Sequence, residues 1–286
     1  MRDKRWQCLH EVFDHNQTHY CRYINLEELL SLGYPNVGTE AERDFIHEDE
    51  RQFIVVHQMI ELGFGQHIWT LTRIIEAVEK DDYSLAIKLT KRLTAWCQIY
   101  STVMSAFRTM SPTDFARFRA ALAPASGAES EQYRIIEVLS GIQPNDSYGV
   151  DRGIAYKYRD FLDRSPEAGE GKPKTRWWTK RLSSLSKGRT VRKAFNRKLS
   201  ELGYNRQKLF GAKRDKNDPI VHLAFALVEY DKAFRGLFRG AHLTISARQM
   251  SKQTGTGHTE GVAYLQSTRD TAQFFPELWD NDRDMK

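Results

Sequence analysis

The stretch Phe53-Ile-Val-Val-His-Gln-Met-Ile-Glu-Leu-Gly-Phe64 leaves this chain few ways to fold. Phe53, Ile54, Val55, Val56, Met59, Ile60, Leu62 and Phe64 cover nearly every face of a helix, and a helix that is apolar all round belongs in a core. The acidic run Glu48-Asp49-Glu50 marks its start, because the positive end of the helix dipole favours carboxylates. Trp69, Leu71, Ile74, Ile75 and Val78 carry the pattern on to about Lys80, where Asp81-Asp82 interrupts it. Within this helix His57 and Glu61 lie four residues apart and share a face. Taken alone, His57 reads first as a core histidine with a satisfied hydrogen bond, since buried polar groups find partners.

The rest of the chain repeats the helical period. A second long helix is expected over 83–110, through Leu85, Ile87, Leu89, Leu93, Trp96 and Ile99. Ser111-Pro112-Thr113-Asp114 opens a third with a hydroxyl cap, a proline in the first turn and an acid behind it, and Pro124 stops it. Further helices are expected over 131–139 and, briefly, over 19–30. Asp218-Pro219 caps one running to about Met250, which carries His242 on an apolar face. Short connections between long helices imply an antiparallel bundle. No stretch alternates as strands do, so the expected class is all-α. Residues 1–286 read as one domain, with a flexible loop near 142–175 and a basic helical segment over 176–216. Gly255-Thr-Gly-His-Thr-Glu-Gly261 is glycine-rich, yet no strand precedes it and no Gly-Lys pair ends it, so it is no nucleotide fingerprint.

Charge and cysteine usage exclude several classes. Between Lys172 and Lys216 stand 16 Lys/Arg against Glu201 and Asp215, a local excess of +14 in a chain of net +6. That asymmetry raises nucleic-acid binding, but no recognised motif accompanies it, and a solvated basic face is the expectation. No apolar run reaches the roughly 18 residues of a membrane span. The N-terminal residues have no signal-peptide pattern. Cys8, Cys21 and Cys97 are an odd number without metal-like spacing, which suggests a reducing cytoplasm.

Four segments, in order along nearly the whole chain, bear a family likeness. His19-Tyr-Cys-Arg-Tyr-Ile-Asn-Leu-Glu-Glu-Leu-Leu30 is similar to TYGxYLxLDxLL, and Phe53-Ile-Val-Val-His-Gln…Glu61-Leu to FIxxHQxxELWFK. Phe118-Arg-Ala-Ala-Leu-Ala-Pro-Ala-Ser-Gly…Ser130-Glu-Gln-Tyr-Arg134 is similar to FRxxLxPASGFQSxQFR. His222…His242…Gly255-Thr-Gly…Gly261…Tyr264-Leu…Phe275-Pro-Glu-Leu is similar to a helix with a proximal histidine followed by a GTGGSSG loop. The chain thus resembles tryptophan 2,3-dioxygenase, a tetrameric all-helical enzyme that opens the indole ring with O2 on haem. The resemblance implies haem b and O2, with His242 as the proximal iron ligand and His57 as the distal histidine. It implies that Arg119 grips the substrate carboxylate, a task suited to a planar fork. Thr256 would meet the substrate's ammonium and carboxylate, Phe53 and Phe115 would wall the indole pocket, and Ser126 would lie near the haem edge. Tyr20 and Tyr23 would reach a neighbouring subunit's pocket, which implies a homotetramer.

The departures suggest alternatives. ELWFK is here Glu61-Leu-Gly-Phe-Gly65, PASGFQS is Pro124-Ala-Ser-Gly-Ala-Glu-Ser130, and GTGGSSG is Gly255-Thr-Gly-His-Thr-Glu-Gly261. Losing aromatics at Gly63 and Ala128 is expected to leave more room near the indole. The alternative reading is a monooxygenase of a natural-product pathway, converting a modified tryptophan such as β-methyltryptophan to a 2-oxindole. A third reading, a non-catalytic haem sensor, is disfavoured by Arg119 and Thr256, which serve an amino-acid substrate rather than the haem.

Overall fold

The computed structural model describes residues 20–33, 45–122, 130–143, 147–148, 156–157, 185, 187–250 and 262–279. The expected helix over 19–30 is two short ones, α1 (Tyr20–Tyr23) and α2 (Leu26–Ser31). Asn25 breaks it at φ 50°, in the left-handed region that asparagine tolerates better than most residues. α3 (Glu48–Glu79) has 32 residues and is roughly 48 Å long. His47 caps it by accepting a hydrogen bond from the Asp49 N–H at 3.3 Å.

α4 (Tyr83–Met104) follows after a tight reversal. Asp81 takes φ 60° there, and Asp82 caps the new helix by accepting from the Leu85 N–H at 3.0 Å. The helix expected over 83–110 ends early, and Ser105–Thr109 tighten into a 3-10 turn. In α5 (Pro112–Leu122) the Ser111 hydroxyl accepts from the Asp114 N–H at 3.1 Å, the cap the sequence implied. α6 (Glu131–Ser140) is capped in the same way by Ser130. Ser147–Tyr148 pairs antiparallel with Tyr156–Lys157, and this two-residue ladder is all the strand structure among the described residues. The all-α class therefore stands. α7 (Val191–Glu201), α8 (Arg206–Phe210) and α9 (Pro219–Ala233) follow. α9 does not run unbroken to Met250: Phe234–Arg239 form a π turn before α10 (Gly240–Met250). α11 (Val262–Thr271) and α12 (Pro276–Trp279) complete the described chain.

α4 packs between α3 and α9 and also meets the π turn, so these elements make the core. The helix buried on nearly every side is α9, not α3. α3 buries one line, Val56, Ile60, Phe64, His67, Leu71, Ile74 and Val78, whereas Met59, Leu62 and Trp69 are 51%, 66% and 53% exposed. Apolar residues on every face of α3 thus serve two surfaces, the core and one open face.

His67 lies at the crossing of four helices. Its Nε2 is 2.8 Å from the Tyr230 hydroxyl of α9, and its Nδ1 is 3.3 Å from the Tyr100 hydroxyl of α4. The Tyr230 hydroxyl is in turn 2.9 Å from Ser140 Oγ of α6. Part of the basic tract has a structural task. Arg189 and Arg197 pair with Glu79, and Lys198 with Asp81 at 2.8 Å, so α7 is tied to the acidic end of α3.

Candidate functional site

His57 occupies α3 two turns after its start, on the side turned to α5 and the 3-10 turn. Its Nδ1 is 2.7 Å from the Phe53 carbonyl oxygen. A carbonyl only accepts, so this nitrogen carries the proton and Nε2 keeps a free lone pair in the neutral ring. Burial holds the His57 pKa below its ordinary value, against the Phe53 carbonyl and the Glu61 carboxylate, which both favour the cation. The ring keeps part of its surface open, yet protein surrounds it closely enough for desolvation to prevail.

Aromatic rings wall this histidine. Phe53 lies 4.2 Å and Phe107 5.6 Å from its ring centre. Phe53 also meets Phe107, Phe115 and Phe118 at 5.7, 5.8 and 5.7 Å. Phe53 and Phe115 are thus brought together, with Phe118 beside them. Phe107 is an addition: it sits in the 3-10 turn, and a reading that ran α4 helically to Met110 gave no reason to aim its ring at His57. Arg119 stands one turn after Phe115 on α5, half-buried on the same face.

His242 is the third residue of α10. Its ring stacks on Phe238, with centroids 6.5 Å apart and planes 14° apart. Burial first, then the neighbouring His57, then Arg134, push its pKa down to about 4. The two histidines, 185 positions apart in sequence, therefore lie close enough to oppose each other's charging. No hydrogen bond reaches either His242 ring nitrogen among the described residues. The end of α10 is anchored to the turn that carries Phe107. Gln249 donates to the Phe107 and Met110 carbonyls at 3.3 and 2.9 Å, and Arg248 to the Arg108 carbonyl at 2.7 Å.

Tyr20 and Tyr23 are 71% and 79% exposed on α1. Ser126, Thr256, Ala128 and Glu129 lie outside the described residues. Gly63 overturns one expectation. A Cβ there would stand 2.6 Å from Tyr100 Cε1 and 3.0 Å from Trp96 Cζ3, so two α4 rings already fill the space that the missing tryptophan side chain would need. The substitution does not enlarge the pocket. At Gly65 a Cβ would meet Gln132 Oε1 at 3.2 Å. The Gln132 amide donates to the Glu61 carbonyl and carboxylate at 2.9 and 2.8 Å, joining α6 to the helix of His57.

What the arrangement offers is a pair of neutral imidazoles, one with a lone pair kept free, beside an aromatic wall and an arginine. Known proteins share this chain's pattern. A family model described as "Tryptophan 2,3-dioxygenase" matches residues 4–172. A tryptophan 2,3-dioxygenase of Bradyrhizobium diazoefficiens is 30% identical over 267 residues, covering 91% of this chain and 90% of the relative. That of Kineococcus radiotolerans is 28% identical over 282 residues, with 91% and 88% covered. That of Herpetosiphon aurantiacus is 26% identical over 273 residues, with 91% and 95% covered.

Proposed function

Because the chain belongs to the tryptophan 2,3-dioxygenase family, we propose that it oxidises the indole ring of L-tryptophan with dioxygen, giving N-formylkynurenine. The observation that carries this reading is the paired histidines of α3 and α10 beside the Phe53–Phe107–Phe115 wall. Haem is the cofactor, and the donor chemistry fits it. A histidine that ligates iron must be neutral with a free nitrogen, and His242 is held neutral and has no competing hydrogen bond among the described residues. Bound there, a haem would supply the activation of O2.

The protein's own part is binding, orientation and exclusion of water. Phe53 and Phe115, already packed on each other, form one wall against the indole, and rings in such walls favour offset or tilted contacts. His57, with its proton fixed on Nδ1, presents Nε2 as an acceptor for the indole N–H. Arg119 grips the carboxylate as a charged fork. Thr256 and Ser126 complete the substrate and haem contacts in this reading.

The chain works as a homotetramer in which Tyr20 and Tyr23 close a neighbour's pocket. The exposure of both tyrosines, and of Met59, Leu62 and Trp69, supports this assembly, since large exposed apolar patches mark interaction sites. The compartment is the cytoplasm, which suits the buried thiol of Cys97. Among the described residues no helix is long and apolar enough to cross a membrane.

The deciding experiment is turnover of tryptophan by the haem-loaded protein under 18O2, with mass spectrometry of the product. Two labelled atoms in N-formylkynurenine are expected. One labelled atom in a 2-oxindole would replace the dioxygenase reading with the monooxygenase one. A haem spectrum that ignores indole amino acids, with no product, would leave only a sensor.

A further inference from the structure

The helix that leaves Pro219 loses its register at the π turn, and the slip decides where His242 sits. One buried line runs from α9 into the turn through Leu227, Asp231, Phe234 and Phe238, spaced by four, three and four. An uninterrupted α-helix would continue that line through positions 242 and 245. The buried residues of α10 are instead Leu243 and Ser246, which extend a line starting at Arg239. The pattern has slipped by one residue. The bonding agrees: the Gly240 N–H donates to the Arg235 carbonyl, five residues back. One inserted residue rotates all that follows by roughly 100°. His242 is moved from the buried line to its margin, where it is half-buried.

A wide turn persists only where something holds it, and Arg239 is that hold. The residue is 3% exposed. Its Nη2 donates to Glu137 Oε1 at 2.9 Å, its Nε to the Tyr133 hydroxyl at 3.1 Å, and its Nη1 to the Ala272 carbonyl at 2.6 Å. Glu137 is fully buried, and its other oxygen accepts from Arg134 Nη1 at 2.8 Å. Returning the segment to α register would swing Arg239 away from Glu137, leaving Glu137 with Arg134 alone and Arg239 a desolvated charge without its carboxylate, a costly way to break a buried pair.

We propose that Arg239 and Glu137 are positioning residues whose buried ion pair locks the π turn and so sets the direction in which His242 meets a haem iron. The inference rests on the reading of His242 as the iron ligand. Its test is resonance Raman spectroscopy of the ferrous, haem-loaded protein, read at the iron–histidine stretch. Two variants are compared with wild type. Deletion of Gly236, an exposed turn position with open space around it, removes the inserted residue. Glu137→Gln keeps the shape of the pair and removes its charge. The deletion is expected to keep its far-UV circular dichroism, lose the iron–histidine band and retain haem about tenfold less tightly or worse, as when a ligand's support is lost. Glu137→Gln is expected to shift or split the band, and decides alone if the deletion does not fold. An unchanged single band in the folded variants overturns the register lock. A wild-type protein without the band, or a band that survives His242→Ala, overturns the assignment of His242 instead.

Discussion

At Gly63 two effects oppose each other. A methyl there gains about 1 kcal/mol of helix propensity over glycine. It also meets the Tyr100 ring at 2.6 Å, and that ring is 1% exposed and held between Phe64, Trp96 and Phe238. Overpacking of a ring that cannot yield costs about 1–3 kcal/mol. Gly63→Ala is therefore expected to destabilise by up to about 2 kcal/mol in urea unfolding. Combination with Tyr100→Leu should cost less than the sum, because both changes act on one contact. A neutral or stabilising Gly63→Ala would mean that the ring moves aside. Arg119 has a different signature. Loss of its planar fork in Arg119→Lys should lower kcat/KM for tryptophan about 10- to 100-fold, mostly through KM, with the haem spectrum unchanged, since charge-assisted bonds contribute about 1.5–3 kcal/mol. A spectral change with intact KM would move Arg119 from the substrate to the cofactor. At this scale the sequence was readable only through likeness. Periodicity alone made His57 an ordinary core histidine, and nothing local joined it to His242. Phe107 went unmarked because its aim depends on a 3-10 turn that leaves no distinctive composition.

Among the elements, the start and end of α3, the Ser111 cap and the Pro219 start were legible because each rests on local chemistry that a few residues specify. The π turn was not: a one-residue slip preserves the apolar composition of both flanks and shows only when a buried line is followed across it. Nor could the sequence tell which long helix is central, since apolar positions facing the open side of α3 look the same as those facing the core. The joint at His67 has a titration consequence. Burial pushes its pKa down to about 3, below the ordinary 6.5, so between those values the unfolded chain holds the proton more firmly. Its contribution to stability is complete above pH 6.5 and declines by about 1.4 kcal/mol per unit as the pH falls. Asp231 acts in the opposite sense. Burial raises its carboxyl to about 6, although the Trp279 indole and the Phe275 and Phe274 N–H groups donate to it, so between 3.8 and 6 the folded state binds the extra proton. In that window acid favours folding through Asp231 and unfolding through His67. His67→Gln should therefore shrink the loss of stability from pH 7 to pH 5 by about 2 kcal/mol, and Asp231→Asn should deepen it. Urea midpoints at the two pH values check both, and an unchanged difference in His67→Gln would show that this histidine is not neutral in the fold.

For the molecule as a whole, the open face of α3 and the exposed tyrosines of α1 are the surfaces that a single chain leaves unexplained. On the homotetramer proposal, Leu62→Glu is expected to leave the thermal midpoint of the folded chain nearly unchanged, because Leu62 is 66% exposed, while shifting light scattering from four chains toward fewer. A tetramer indifferent to that change would assign the face another role. The basic tract, in contrast, is partly accounted for within the chain. Arg189, Arg197 and Lys198 close on Glu79 and Asp81, exposed pairs that each contribute little but together fix where α7 docks. The filled space at Gly63 also bears on anyone exchanging parts between this protein and its relatives. The space that a side chain at position 63 would take on α3 is filled by Trp96 and Tyr100 of α4, so neither helix is a module by itself. A chimera whose α3 carries a large side chain at position 63 has nowhere to put it, and one whose α4 lacks Trp96 or Tyr100 leaves a hole beside Gly63. At this contact α3 and α4 have to be exchanged together.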